Sequence, residues 1–201
     1  MCCFFRTLVA LMGVFVFITA SPAQTNLITN GSFEVPIVTS GSYWNISPGT
    51  EPPGFAWQVT AGNVDVQTAG ISWISKAFDG VQYLDLDGYR PGAVAQSFAT
   101  TPGTEYVFSF AFANNPEGGS SIPAYATVSI FDSETEDQLI PPVLLTHGDS
   151  TFANPDWTPS GAITFVAEGE TTILFFASND PSWSDGGIFL DAVSVQACTE
   201  R

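Results

Sequence analysis

Alternation with a period of two runs through this chain, and it restricts the fold to sheet. In Tyr106-Val107-Phe108-Ser109-Phe110-Ala111-Phe112-Ala113 the aromatic rings fall on one face, and Val107, Ser109, Ala111 and Ala113 fall on the other. That is the signature of a half-buried strand. The small residues of the second face suit solvent or the close approach of a neighbouring strand. Related patterns predict strands from Phe55 to Thr60, Val64 to Gln67, Val81 to Leu86, Ala93 to Thr100, Ala124 to Phe131, Gly161 to Ala167, Thr171 to Ser178 and Gly187 to Gln196. Between them lie clusters such as NNPEGGSS and SNDPSWSDGG, whose Gly, Pro, Asn and Asp supply turn geometries and stop helices. No window of helical length shows the apolar period of about 3.6 residues. About ten strands without helices to cover a parallel sheet predict an all-β fold, an antiparallel β-sandwich of jelly-roll type.

Charge narrows the function classes. The 201 residues carry 20 Asp+Glu against 4 Lys+Arg, a formal charge of −16. Such an acidic field repels phosphates, so nucleic acid is excluded as a partner. With 45% hydrophobic residues the chain still buries a substantial core and is expected to fold as one domain. One His and three Cys, the adjacent Cys2 and Cys3 and the distant Cys198, cannot build a zinc site; oxygen-ligated calcium stays open.

Residues 1–23 read as a secretory signal. Arg6 precedes an apolar run from Leu8 to Ala20, and Ser21-Pro22-Ala23 supplies small residues for cleavage after Ala23. The run is shorter than the roughly 20 residues that span a bilayer, and no second apolar segment follows it. The expectation is a secreted, extracellular or periplasmic protein, 24–201, with no transmembrane segment and a short loose C-terminal tail. Cys2 and Cys3 would leave with the signal, so Cys198 would be a lone thiol, either unpaired or linked to another chain.

The opening NLITNGSFEVP, then FAWQV, GNVDV, GVQYLDLDGYRPGAVAQSFATTPGTEYVFSFAFANNPEGG and the closing GIFLDAVSV together resemble the choice-of-anchor C family, itself similar to plant cell-wall domains with a galactose-binding-like fold. The resemblance runs from about Asn26 to Val195. It implies an extracellular jelly roll of the carbohydrate- or cell-wall-binding kind, and it brings no catalytic residues. Family members often carry an apolar sorting tail, whereas this chain ends in ACTER.

The opening NGSFE and the closing LDAVSV are also similar to the first and last strands of carbohydrate-binding jelly rolls in which a Glu and an Asp hold a structural Ca2+. By position these are Glu34 and Asp191. Calcium takes six to eight oxygens, which two carboxylates and strand-end carbonyls would supply. Ala192 stands where the pattern has a further polar residue. The alternative is that both acids accept turn hydrogen bonds or face solvent. Asp85-Leu86-Asp87-Gly88 has carboxylates two apart, yet Tyr89 and Gln96 occupy the later ligand positions of a calcium loop, so a strand entering a turn accounts for it better.

Ligand-binding candidates are aromatic. Sugar rings stack their C–H faces on Trp and Tyr while their hydroxyls seek polar side chains. Trp57 alternates within a strand and is assigned to the core. Trp44, Trp73, Trp157 and Trp183 sit among turn residues at the expected sandwich edge, where each either meets ligand or caps the core. Tyr89 and Arg90 follow the Asp87-Gly88 turn, and Arg90 either balances neighbouring acids or meets a uronate. His147-Gly148-Asp149-Ser150 superficially resembles an esterase nucleophile block, but its only His lies three residues from the Ser in an expected loop. Three functions compete: a non-catalytic binder of cell-wall or matrix polysaccharide, a structural matrix protein making protein contacts, and a glycosidase or esterase. With 20 acidic residues, paired carboxylates discriminate nothing.

Overall fold

The computed structural model describes residues 24–70, 76–117, 123–184 and 186–198. The strands are β1 (Tyr43–Ile46), β2 (Gln58–Ala61), β3 (Val64–Thr68), β4 (Gln82–Asp85), β5 (Ala93–Ala99), β6 (Glu105–Asn114), β7 (Ala124–Asp132), β8 (Val143–His147), β9 (Thr158–Pro159), β10 (Ile163–Val166), β11 (Thr171–Ser178) and β12 (Ile188–Ala197). One sheet has the order β1-β3-β4-β12-β6-β10, with β9 also on β6; the other runs β2-β5-β11-β7-β8. The strand pairs are antiparallel in both. This is the expected antiparallel jelly-roll sandwich. Among the described residues no helix is long and apolar enough to cross a membrane.

The two sheets share one apolar core. From β6 come Tyr106, Phe108 and Phe110, facing Phe98 and Phe176 of the other sheet. Trp57 is buried as expected, stacked on Phe33 at 5.5 Å and edge-on to Phe176 at 6.0 Å. Its Nε1–H donates to the Asn30 carbonyl (3.1 Å), satisfying the one polar atom of the ring. In β12 the alternation Ile188, Leu190 would next bury Ala192. A bulge between Asp191 and Ser194, with Ala192 at φ 50°, resets the phase so that Val193 and Val195 reach the core instead. The N-terminal segment docks along this strand, Leu27 N–H donating to Val195 O (2.8 Å) and Val193 N–H to Gly31 O (2.9 Å).

Three short strands depart from the expectation. Trp44 lies in edge strand β1 and not in a loop. His147 ends β8, again a strand where a loop was expected, and β9 was not anticipated at all. The small outer residues of β6 prove to be packing residues: Ala111 and Ala113 are buried.

Candidate ligand-binding face

Two rows of side chains cross the seven-stranded sheet on the face turned away from the shared core. Register places Asn45 opposite Asp65, Asp65 opposite Asp85, and Asp85 opposite Phe189, which in turn faces Ala113. The neighbouring row sets Tyr43 opposite Gln67 and Gln67 opposite Tyr83. Each strand contributes because its alternate residues are core: Val64 and Val66 in β3, Leu84 in β4 and Leu190 in β12.

One half of this face is closed by apolar cover. Trp157 packs on Tyr83 (5.8 Å), Phe189 (6.2 Å) and Phe78 (6.3 Å), and its Nε1–H donates to Lys76 O (3.1 Å). Tyr83, Phe189, Ala77 and Ala113 form a second small apolar cluster beneath it. Trp157 therefore caps a core. Asp191 and Glu34 hold the segment that completes this cover. Asp191 Oδ2 accepts from Phe78 N–H (2.8 Å) and Asp79 N–H (2.9 Å), and its Oδ1 from Ala192 N–H (2.6 Å). Glu34 Oε1 accepts from Val81 N–H and Gln82 N–H, both at 2.8 Å. These backbone amides point their hydrogens at three of the four carboxylate oxygens, and as arranged the pair clasps the 78–82 segment to the first segment and the last strand. Among the described residues no group of three His, Cys, Asp or Glu could hold a metal ion. Burial pushes the Asp191 carboxyl up to about 7 against the pull of its amide donors.

The other half, over β1, β3 and β4, is polar. Asp85 is fully buried, and four N–H groups converge on it: Asp87 N–H (3.0 Å) and Gly187 N–H (3.2 Å) on Oδ1, Asn115 Nδ2 (2.9 Å) and Gln67 Nε2 (3.3 Å) on Oδ2. Burial, then the nearby Asp87 and Asp65, raise its pKa well above the carboxylate range, opposed by the Asp87 amide and Asn115. Asp65 is pushed to about 6 by burial, while Asn45 Nδ2, donating to Oδ1 at 2.6 Å, holds it back. Two carboxylates directly opposite each other on adjacent strands repel. Asp180, which follows β11 of the other sheet, is raised to about 7 by burial and then by Asp87. Perturbed acids gathered on one face mark a functional candidate.

The turn after β4 walls the polar half. Gly88 is required there by close approach, since a Cβ would sit 2.5 Å from both Asn45 Nδ2 and Asn63 Oδ1. Asn63 Oδ1 accepts from Tyr89 N–H (2.6 Å), and the Tyr89 and Tyr43 hydroxyls meet at 3.2 Å. Both rings remain exposed, as does Arg90. The outcome is an aromatic pair beside aligned amide and carboxylate groups.

Of the candidates from sequence, Tyr89 and Arg90 border this face, Trp157 covers its closed half, Trp183 is exposed on the β11–β12 connection, and Trp73 lies outside the described residues. Tyr43, Asn45, Asp65, Gln67 and Asn115 were not singled out. His147 and Ser150 make no nucleophile pair: Ser150 Oγ donates to the Pro155 carbonyl, and His147 Nδ1 bonds Asn114 Oδ1 (2.8 Å).

The antiparallel jelly-roll sandwich is a fold shared with solved carbohydrate-binding modules. The structure of TmCBM61 in complex with β-1,4-galactotriose matches with a TM-score of 0.52 at 12% identity, over 87% of this chain and 99% of that one. The CBM22-1 xylan-binding domain of Paenibacillus barcinonensis Xyn10C matches with a TM-score of 0.52 at 14% identity, over 90% and 100%. Residues 26–139 match the family described as Protein of unknown function (DUF642), and the chain belongs to it. Halomucin of Haloquadratum walsbyi is 28% identical over 94% of this chain, which spans 2% of that protein's length.

Proposed function

We propose that this protein is a secreted, non-catalytic carbohydrate-binding jelly roll that takes a glycan of the cell wall or matrix across β1, β3 and β4. The observation that carries the reading is the pairing of the exposed Tyr43 and Tyr89 rings with the aligned Asn45, Asp65 and Gln67 side chains. A sugar needs both: a ring to cover its C–H face and fixed groups for its hydroxyls. Tyr43, Tyr89 and Arg90 form the rim, while Asp65 and Gln67 orient hydroxyls from below. The fold supports this, because the similar solved domains are a module bound to β-1,4-galactotriose and a xylan-binding domain. Extracellular placement follows from reading 1–23 as a signal and from the resemblance to the choice-of-anchor C family.

The test is isothermal titration with soluble β-1,4-galactan and xylan. One of them binds, and Tyr89→Ala or Asp65→Asn weakens it about tenfold, a loss of about 1.4 kcal/mol. Equal affinity in the variants overturns the assignment of the face. Turnover of chromogenic glycosides or esters above a heat-inactivated control would overturn the non-catalytic reading.

Halomucin favours a second reading. A segment similar to this chain makes up a small part of that very long protein, which suits a unit repeated or joined to others in a larger assembly. On that reading the acidic sandwich mediates protein contacts in a matrix and retains no polysaccharide.

A further inference from the structure

On the opposite side of the molecule, β8 ends one sheet and β9 lies on β6 of the other. A cavity of about 500 Å³ opens in this seam, lined by Phe112, Pro123, Thr146, His147, Gly148, Asp149 and Thr158. It draws on both sheets and on none of the residues of the β1–β3–β4 face.

Its polar wall is rigidly set. Asn114 is fully buried with its amide orientation determined, Nδ2 donating to Asn115 O (3.2 Å) and Oδ1 accepting from Ser150 N–H (3.0 Å). The same Oδ1 faces His147 Nδ1 at 2.8 Å, so Nδ1 carries a proton. His147 Nε2 then accepts from the Thr158 hydroxyl (3.3 Å) and stands 3.1 Å from the Asp156 carbonyl. The imidazole also stands edge-on to Phe112, centroids 5.8 Å apart at 84°. Thus the motif His147-Gly148-Asp149-Ser150, useless as a catalytic block, shapes a pocket wall: Ser150 and Asn114 anchor it, and His147, Gly148 and Asp149 line the space.

The lining also defines the ligand. Phe112 and Pro123 offer apolar surface, Thr146 and Thr158 offer hydroxyls, and Asp149 offers an acceptor for two hydroxyls at once. Among the described residues no Lys or Arg lines the cavity, and the chain's net charge is −16, so an anion is unfavourable. The volume falls within the roughly 300–1,000 Å³ of small-ligand pockets. We propose that the seam cavity is a second saccharide site that takes one neutral pyranose residue, independent of the β1–β3–β4 face.

Amide NMR of the full chain, titrated with methyl β-galactoside, methyl β-xyloside and methyl β-glucoside, tests this. The expected result is saturable shifts at Thr146, Gly148, Asp149 and Thr158 with at least one glycoside. Affinity drops about tenfold or more in Thr146→Val/Thr158→Val and is unaffected by Asp65→Asn. Asp149→Asn weakens binding too while leaving the Thr158–His147 contact in place, which guards against a double variant that fails to fold. Shifts confined to Tyr43, Asp65 and Tyr89 overturn the seam site while the face reading stands. Shifts at the seam alone do the reverse. Seam shifts of equal affinity in the variants also refute it.

Discussion

Asp191→Asn should flatten the dependence of stability on pH. Asp191 is fully buried, and its carboxyl is raised from 3.8 to about 7 by burial. Between those values the folded protein holds a proton that the unfolded chain has released, so stability falls as pH rises through the window. One such proton is worth about 1.4 kcal/mol per pH unit, and a shift of this size integrates to about 4 kcal/mol between pH 4 and 7. Asparagine cannot titrate, so the variant lacks this slope whatever its stability at any single pH. Urea unfolding followed by tryptophan fluorescence at pH 5, 6, 7 and 8 gives the two profiles. The difference in free energy between wild type and variant should change by about 1.4 kcal/mol per unit from pH 5 to 7 and level off above the folded pKa. Parallel profiles would refute the reasoning, since they would mean that Asp191 titrates alike in both states and that its amide donors cancel its burial.

Other consequences follow from the same packing. Gln82 is buried, its Nε2 donating to Phe33 O (2.6 Å) and Pro36 O (2.9 Å) and its Oε1 accepting from Val38 N–H (2.6 Å); Gln82→Leu should cost about 3 kcal/mol or more in urea unfolding by orphaning those groups. Trp57→Ala should cost about 3–5 kcal/mol through the cavity it leaves, read as a fall in Tm. Gly62 sits at φ +54° with a would-be Cβ 1.9 Å from Pro91 O, so Gly62→Ala should lower Tm markedly. Chelator should leave Tm unchanged, because the Glu34 and Asp191 clasp closes on amide hydrogens; a calcium-dependent rise in Tm would contradict that geometry.

Much of the fold was legible because side-chain period survives any tertiary context. The rings of β6 alternate over the whole strand, and β12 shows the same period in Ile188 and Leu190 and again, past the bulge, in Val193 and Val195. β1 was hidden: Tyr43–Ile46 is four residues long between Gly41-Ser42 and Pro48-Gly49, and it becomes a strand only by pairing with β3. β8 is a nearly continuous apolar run after two prolines, a pattern that period alone does not resolve. The polar face was half-legible. Asp65 and Gln67 alternate with Val64 and Val66, which shows that they share a face. That Asp65 meets Asp85, and that both are buried, depends on register and on cover from distant loops. Tyr89 was visible as an aromatic on a turn, whereas its partner Tyr43 lies 46 positions away in sequence. In the sequence Trp157 is a loop aromatic that either meets ligand or caps the core, and the β6–β9 pairing makes it a cap.

Retention on a panel of insoluble plant, algal and bacterial polysaccharides, with calcium and with chelator, tests the central claim most directly. The account predicts retention on one class, insensitive to chelator and lost in Tyr89→Ala, with Trp183→Ala unchanged. Equal passage through every polysaccharide would contradict it and leave the protein-contact role.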